Sequence, residues 1–198
     1  MHINIIYLFI IILYTLFSHL VWAQTVNNKI KSELTVEADE SLEWFEKEKY
    51  YIAKGNVILK KDGVTLKANV VKANYAFENG ENILRKITAK DNVVLTKLDT
   101  KATGQYMKYN FKEKVAEISG PFQTFLSPSG YLESKKLIMF DDLKNIAEAN
   151  GNVKLVLSNN TIIYADKLKA DFEPNDKSLK KATASGNVII ENTLKQRK

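Results

Sequence analysis

The chain has 198 residues, 29 Lys and Arg against 23 Asp and Glu, and a formal net charge of +6. It holds 8 Gly, 3 Pro and no Cys, so disulfides and thiolate metal sites are excluded, while length and apolar content suit one domain with a core. The basic excess is modest and spread among acids, a poor match to a nucleic-acid-binding surface.

The first element is apolar. Within MHINIIYLFIIILYTLFSHLVWAQ the run from Ile5 to Phe17 is broken only by Thr15, and small residues Val21 and Ala23 flank Trp22. This predicts a signal peptide over residues 1–23, cleaved after Ala23. No Lys or Arg precedes the run, and an uncleaved membrane anchor is the alternative. The remaining chain, 24–198, is expected to be exported either way. Both histidines, His2 and His19, lie in the leader. The chain from Gln24 onward therefore has neither His nor Cys, which excludes Ser-His-Asp and Cys-His nucleophile systems and zinc sites built on those ligands. No cofactor or enzymatic activity is expected.

Beyond the leader the sequence repeats over about 33–192. AKGNVIL (53–59) returns as AKDNVVL (89), ANGNVKL (149) and ASGNVII (184), with ISGPFQTF a divergent copy. The marker positions Gly55, Asp91, Gly120, Gly151 and Gly186 are spaced 36, 29, 31 and 35 apart. A second marker, a small residue before a polar one, alternates with it at Ala38-Asp39, Ala68-Asn69, Thr103-Gly104, Ser134-Lys135 and Ala165-Asp166. Fixed spacing of this kind marks stacked supersecondary units that bury an apolar face only against one another.

Each unit reads as strands. Residues 39–49 have a helix-forming composition, but the matching positions of other units are strand-like, and a strand and turn are expected there. Trp44 and Phe45 are expected to pack in the core. Val57/Leu59, Val93/Leu95, Val153/Leu155/Leu157 and Val188/Ile190 alternate at the strand period. Between 64 and 77 the apolar parity switches at Val70-Val71, which predicts a bulge or bend. In 162–172, Ile162, Tyr164, Leu168, Ala170 and Phe172 read as one face. Turns such as Asp62-Gly63, Asn79-Gly80 and Asn150-Gly151 separate the runs. The third copy carries Pro121, which lacks an N–H and belongs at an edge or bulge. The fold class that follows is all-β, of about 14–16 short strands if each strand with its turn takes roughly 8–12 residues.

Residues 33–75 and 149–192, with a small-polar pair, a long strand, a turn and A-x-G-N-V-x-L, resemble the OstA-like family of lipopolysaccharide-transport periplasmic proteins. The resemblance covers essentially all of the chain after the leader. It implies a twisted antiparallel β-jellyroll of 30–36-residue repeats, open along one seam, with lipid A acyl chains between its sheets. It also implies end-to-end contact with further copies and with inner-membrane LptC-like and outer-membrane LptD-like jellyroll partners, bridging the two membranes. On that reading the lipid-lining candidates are Val57, Leu59, Val93, Leu95, Phe122, Val153, Leu155, Leu157, Val188 and Ile190. The candidates for phosphate contact are Lys60, Lys61 and Lys67. Lining a trough and filling a core give the same alternation, so a structural β-repeat protein with a filled core is the competing class. Open edges after Lys31 and at Asn187–Glu191 are the expected docking strands. Other clusters are weak: Glu37, Asp39, Glu40 and Glu43 lack the Gly-centred loop of a calcium site, and Asp141 and Asp142 point to opposite faces of a strand.

Overall fold

The computed structural model describes residues 34–192 except 79, 129, 159 and 176–178; the expected leader and the tail 194–198 lie outside the described residues. Fourteen strands follow one another: β1 (Thr35–Glu37), β2 (Ser41–Phe45), β3 (Tyr50–Lys61), β4 (Val64–Glu78), β5 (Glu81–Lys97), β6 (Thr100–Asn110) and β7 (Val115–Ser119), then β8 (Gln123–Ser127), β9 (Gly130–Ser134), β10 (Leu137–Asp141), β11 (Ile146–Leu157), β12 (Thr161–Phe172), β13 (Leu179–Ser185) and β14 (Ile189–Asn192). All pair antiparallel in one sheet. The all-β reading holds, including the strand and turn at 41–49. The strands are not uniformly short, however: β4 has 15 residues and β5 has 17.

The long strands are long because they cross a corner. The ladder of β3 on β4 skips between Lys54 and Val57, that of β5 on β6 between Lys90 and Val93, and that of β11 on β12 between Asn150 and Val153. In each case two residues of one strand face a single residue of its neighbour, which is a bulge that bends the strand. The two are Gly55-Asn56, Asp91-Asn92 and Gly151-Asn152, with φ of 80 and 42, 60 and 56, and 85 and 46. Left-handed backbone at two consecutive positions suits Gly, Asn and Asp and few other residues, so the repeated G-N is the corner itself. The facing single residue is the polar member of the second marker. The backbone N–H groups of Asp39, Lys135 and Asp166 donate to the carbonyls of Gly55, Gly151 and Gly186 at 2.8, 2.7 and 2.8 Å. Asn56 and Asn187 donate from Nδ2 to Asp39 and Asp166 at 2.9 and 3.0 Å. The small member packs inward: Ala68 lies opposite Val57 and Ala165 opposite Val153. In the third pair that inward place belongs to Gly104, opposite Val93, with Gln105 as the polar partner. The marker therefore reads Gly104-Gln105, one place later than Thr103-Gly104.

The corners divide the sheet into two half-sheets. The upper holds β1, residues 57–61, 64–68, 93–97 and 100–104 of the long strands, β8, β9, residues 153–157 and 161–165, and β14. The lower holds β2, residues 50–54, 70–78, 81–90 and 106–110, β7, β10, residues 146–150 and 167–172, and β13. Their inner faces share one apolar core. Phe125 on β8 meets Phe140 on β10 across it, ring centroids 5.9 Å apart, although those strands do not pair. Among the described residues no ladder joins the far rims, so the structure is open along that seam.

Crossing a corner flips the inward parity. The predicted switch in β4 is this flip: Leu66 and Ala68 are buried on one side of Asn69 and Val71 and Tyr75 on the other. β12 flips too, contrary to the single face expected there. Ile163 and Ala165 face inward before Asp166, and Leu168 and Phe172 after it, which turns Ile162 and Tyr164 outward.

The left-handed corner fixes a measurable cost. Gly63 has φ 74 with nothing near an added Cβ, whereas at Gly55, φ 80, a Cβ would lie 2.9 Å from the Glu40 backbone nitrogen. Gly63→Ala is expected to lower stability by about 1 kcal/mol, the backbone cost alone. Gly55→Ala should lose clearly more, read from urea midpoints at constant m-value.

Candidate functional site

The interior is not filled evenly. Through the middle of the molecule it is packed solid: Leu66, Ile118, Phe125 and Ile138 are fully buried. At the N-terminal end a cavity of about 460 Å³ remains between the half-sheets. Val36 and Leu59 supply its upper wall, and Leu42, Tyr51, Ala53, Val71, Ala73, Tyr75 and Leu84 the lower. The space exists because Ala53 and Ala73 stand where larger side chains would close it, and because β1 and β2 are the last strands on their side. Leu42 and Trp44 of β2 share the inward face with Ala53 and Tyr51, their direct cross-strand partners. With no strand beyond them among the described residues, they are 60% and 57% exposed. Trp44 is thus at the open end and not in the core. Its indole N–H donates to the Tyr75 hydroxyl at 2.7 Å and its ring stacks on Tyr51 at 6.0 Å. Burial pushes the Tyr51 phenol up, with Tyr75 adding to it. The Tyr75 hydroxyl accepts that bond, so the aromatic group lines the open end of the cavity with its inner polar atom paired.

The sequence-derived candidates fall into three groups. Val57, Val93 and Val153 are fully buried beside the corners, and Leu95, Leu155 and Leu157 are buried further out. Of these residues only Leu59 reaches the cavity. Val188 and Ile190 occupy the last inward row, Ile190 opposite Ile163, but among the described residues nothing covers them, and Ile190 is 64% exposed. Phe122 is a correction. Three residues, 120–122, separate β7 from β8, one more than the two at other corners. The shift leaves Phe122 48% exposed and puts Gln123, fully buried, in the place Val57 holds in its unit. Gln123 donates from Nε2 to the Gly120 carbonyl.

Among the lysines, Lys60 and Lys67 are exposed on the outer face, and Lys60 pairs with Glu37 at 3.3 Å. Lys61 shares the inward parity of Val57 and Leu59 and meets Asp62 at 3.5 Å. Sequence reading missed Lys97. The alternation Val93, Leu95 runs on to it, and it is buried at the upper rim, on one cross-strand row with Val64 and Lys61. Burial pushes its ammonium pKa down, against a smaller opposing pull from Asp62.

Two carboxylates have lowered pKa values, and each is paired with a lysine. Glu43 meets Lys54 at 2.9 Å, which holds it below the ordinary range with help from Ser41. Asp141 is buried in a turn, where it accepts from the Lys144 backbone N–H at 2.9 Å and its ammonium at 2.7 Å. Burial alone would raise its pKa; the Lys144 contacts outweigh this and hold it down. Among the described residues no group of three or more acids could hold a metal ion, and no helix is long and apolar enough to cross a membrane.

Against known proteins, the chain matches the family described as "LptA/(LptD N-terminal domain) LPS transport protein" over residues 35–139, more than half its length. No curated protein sequence matches it. Among solved structures it is similar to LptH of Pseudomonas aeruginosa, described as the LptA homologous periplasmic component of the conserved lipopolysaccharide transport device. That likeness has a TM-score of 0.35 and 11% identity, and covers 83% of this chain and 97% of that one.

Lys97 gives the site a pH signature. A lysine whose folded pKa lies below its unfolded value destabilises the fold while charged, and the penalty fades as pH rises through that window. Lys97→Met is therefore expected to change stability relative to wild type by an amount that shifts in favour of wild type as pH rises through the alkaline range toward the ordinary lysine value of about 10.4. Urea unfolding across that range reads it.

Proposed function

The chain belongs to the LptA/LptD N-terminal-domain family of lipopolysaccharide transport proteins, and from that premise we propose that it carries lipopolysaccharide across the periplasm with the acyl chains lying between the two half-sheets. The observation that carries this reading is the unfilled N-terminal end of the apolar interior. A purely structural repeat protein has no need of a cavity walled by Leu59, Ala73, Tyr75 and Leu84. An acyl chain entering it gains about 0.8 kcal/mol per buried methylene, so a few methylenes outweigh the contacts missing there. The seam lets the polar headgroup stay outside while its chains are shielded. Lys61 and Lys97, inward at the upper rim, are then better placed for a headgroup phosphate than Lys60 or Lys67, which lie on the outer face.

The two ends support a bridging role. Among the described residues, β1 and β2 at one end and β13 and β14 at the other leave edge backbone groups unpaired, and both ends expose inward apolar residues: Leu42 and Trp44, and Val188 and Ile190. We assign these ends to contact with further copies or with LptC-like and LptD-like jellyrolls, by strand addition that continues the interior from one molecule to the next. Location in the periplasm follows from cleavage after Ala23; if the segment stays attached, the same architecture serves as a membrane-anchored LptC-like component. No catalytic step is needed, and the energy comes from elsewhere in the system.

A photoreactive residue at Leu59 or Leu84 is expected to yield a lipopolysaccharide adduct in cells, and one at Thr96 on the outer face none. Equal yields, or no adduct from the inward positions, would return the protein to the filled-core class. Ile190→Pro removes a backbone donor from β14 and should reduce chain-to-chain crosslinking at least severalfold with the urea midpoint nearly unchanged; undiminished crosslinking counts against end-to-end assembly.

A further inference from the structure

Independently of its cargo, the molecule carries a charge cluster on the outer face of the lower half-sheet. Thr88 on β5 lies directly opposite Lys72 on β4 and Lys108 on β6. Lys86 and Lys90 stand two places to either side of it on the same strand and so share its face. Direct cross-strand neighbours have Cβ atoms about 5 Å apart, and four strand residues span about 13 Å. Four lysines thus rise from the positions around one threonine.

Little compensates them. Glu117 reaches Lys108 at 3.7 Å, and the Lys72 ammonium lies 3.6 Å from the Tyr50 ring centroid. The cross-strand neighbours of Lys86 are Asn74 and Asn110, and those of Lys90 are Val70 and Tyr106, all uncharged. Elsewhere on this face lysines are matched to acids: Lys54 to Glu43 at 2.9 Å, Lys167 to Glu148 at 2.8 Å and Lys169 to Asp171 at 3.2 Å. Protection of an edge does not explain the cluster, because β4, β5 and β6 are interior strands. Concentrated like charge opposes folding, and an anionic partner relieves it.

We propose that this face docks on the surface of an anionic phospholipid bilayer. The cluster lies on the open face of a sheet, suited to many phosphates at one level, and Tyr50 and Tyr106 beside it are residues favoured at a membrane–water interface. The same two strands, β4 and β5, run on past the start of β3 at Tyr50 and the end of β6 at Asn110. That projecting hairpin carries Ile83 exposed on the side of the basic face and Phe77 exposed on the opposite side. The docked molecule lies with its lower half-sheet against the lipid and its upper half-sheet away from it.

The test is amine-acylation footprinting by mass spectrometry, on the protein in the form the cell leaves it, with vesicles of phosphatidylglycerol or of phosphatidylcholine. Labelling of Lys72, Lys86, Lys90 and Lys108 is expected to slow severalfold with phosphatidylglycerol. Lys101 and Lys154 on the other outer face should be unaffected, and the protection should vanish in about 0.5 M salt. Lys86→Glu with Lys90→Glu, both outward, should abolish protection at Lys72 and Lys108 at an unchanged urea midpoint. Unchanged labelling, protection equal on phosphatidylcholine, uniform slowing of all lysines, or protection surviving the double variant each overturn the proposal. Protection by lipopolysaccharide micelles without protection by phosphatidylglycerol also overturns it and assigns the cluster to the cargo.

Discussion

Two successive left-handed residues in the middle of a strand hold this architecture together. An antiparallel sheet of long strands would otherwise expose one entire apolar face. The bulge at Gly55-Asn56, repeated at Asp91-Asn92 and Gly151-Asn152, turns each strand so that its two halves face each other and bury the same face twice. Every other feature depends on that turn: the inward parity flip, the single core, the seam along the far rims and the cavity where the stack of strands ends.

The corner is also the most legible part of the sequence. The G-N repeat and its small-polar companion are two sides of one bulge, linked by the same backbone bond at 2.7–2.8 Å in three units. Both repeat because the same geometry repeats. Asp91 fills a glycine place because the required φ of 60 is one that Asp tolerates better than most residues. The parity switch in β4 was readable for the same reason. In β12 it was hidden, because Ile162 and Tyr164 are apolar yet outward, and an apolar outer residue looks like an inner one when only alternation is read.

The site was less legible than the fold. Phe122 was displaced by one extra residue at the third corner, and a single insertion reverses facing at the strand period. Val188 and Ile190 have the right facing but lie in the last row, and position in a stack is not written in local alternation. The cavity depends on Ala53 and Ala73 being small and on β1 and β2 having no outer neighbour among the described residues. Neither is a motif. Lys97 was legible in principle, as the next member of an inward alternation, and its charge concealed it from a search for apolar residues.

The third corner differs in kind from its neighbours. β7 and β8 are separate strands, as are β9 and β10, so two adjacent layers of the stack pass the bend without a continuous strand. The chain still runs on through both bends, and Ile118, Gln123, Phe125, Ser134 and Ile138 around them are exposed by 2% or less. Here the bend is held from inside, by close packing beneath it. The middle of the stack is anchored by side chains where its neighbours are anchored by an unbroken strand.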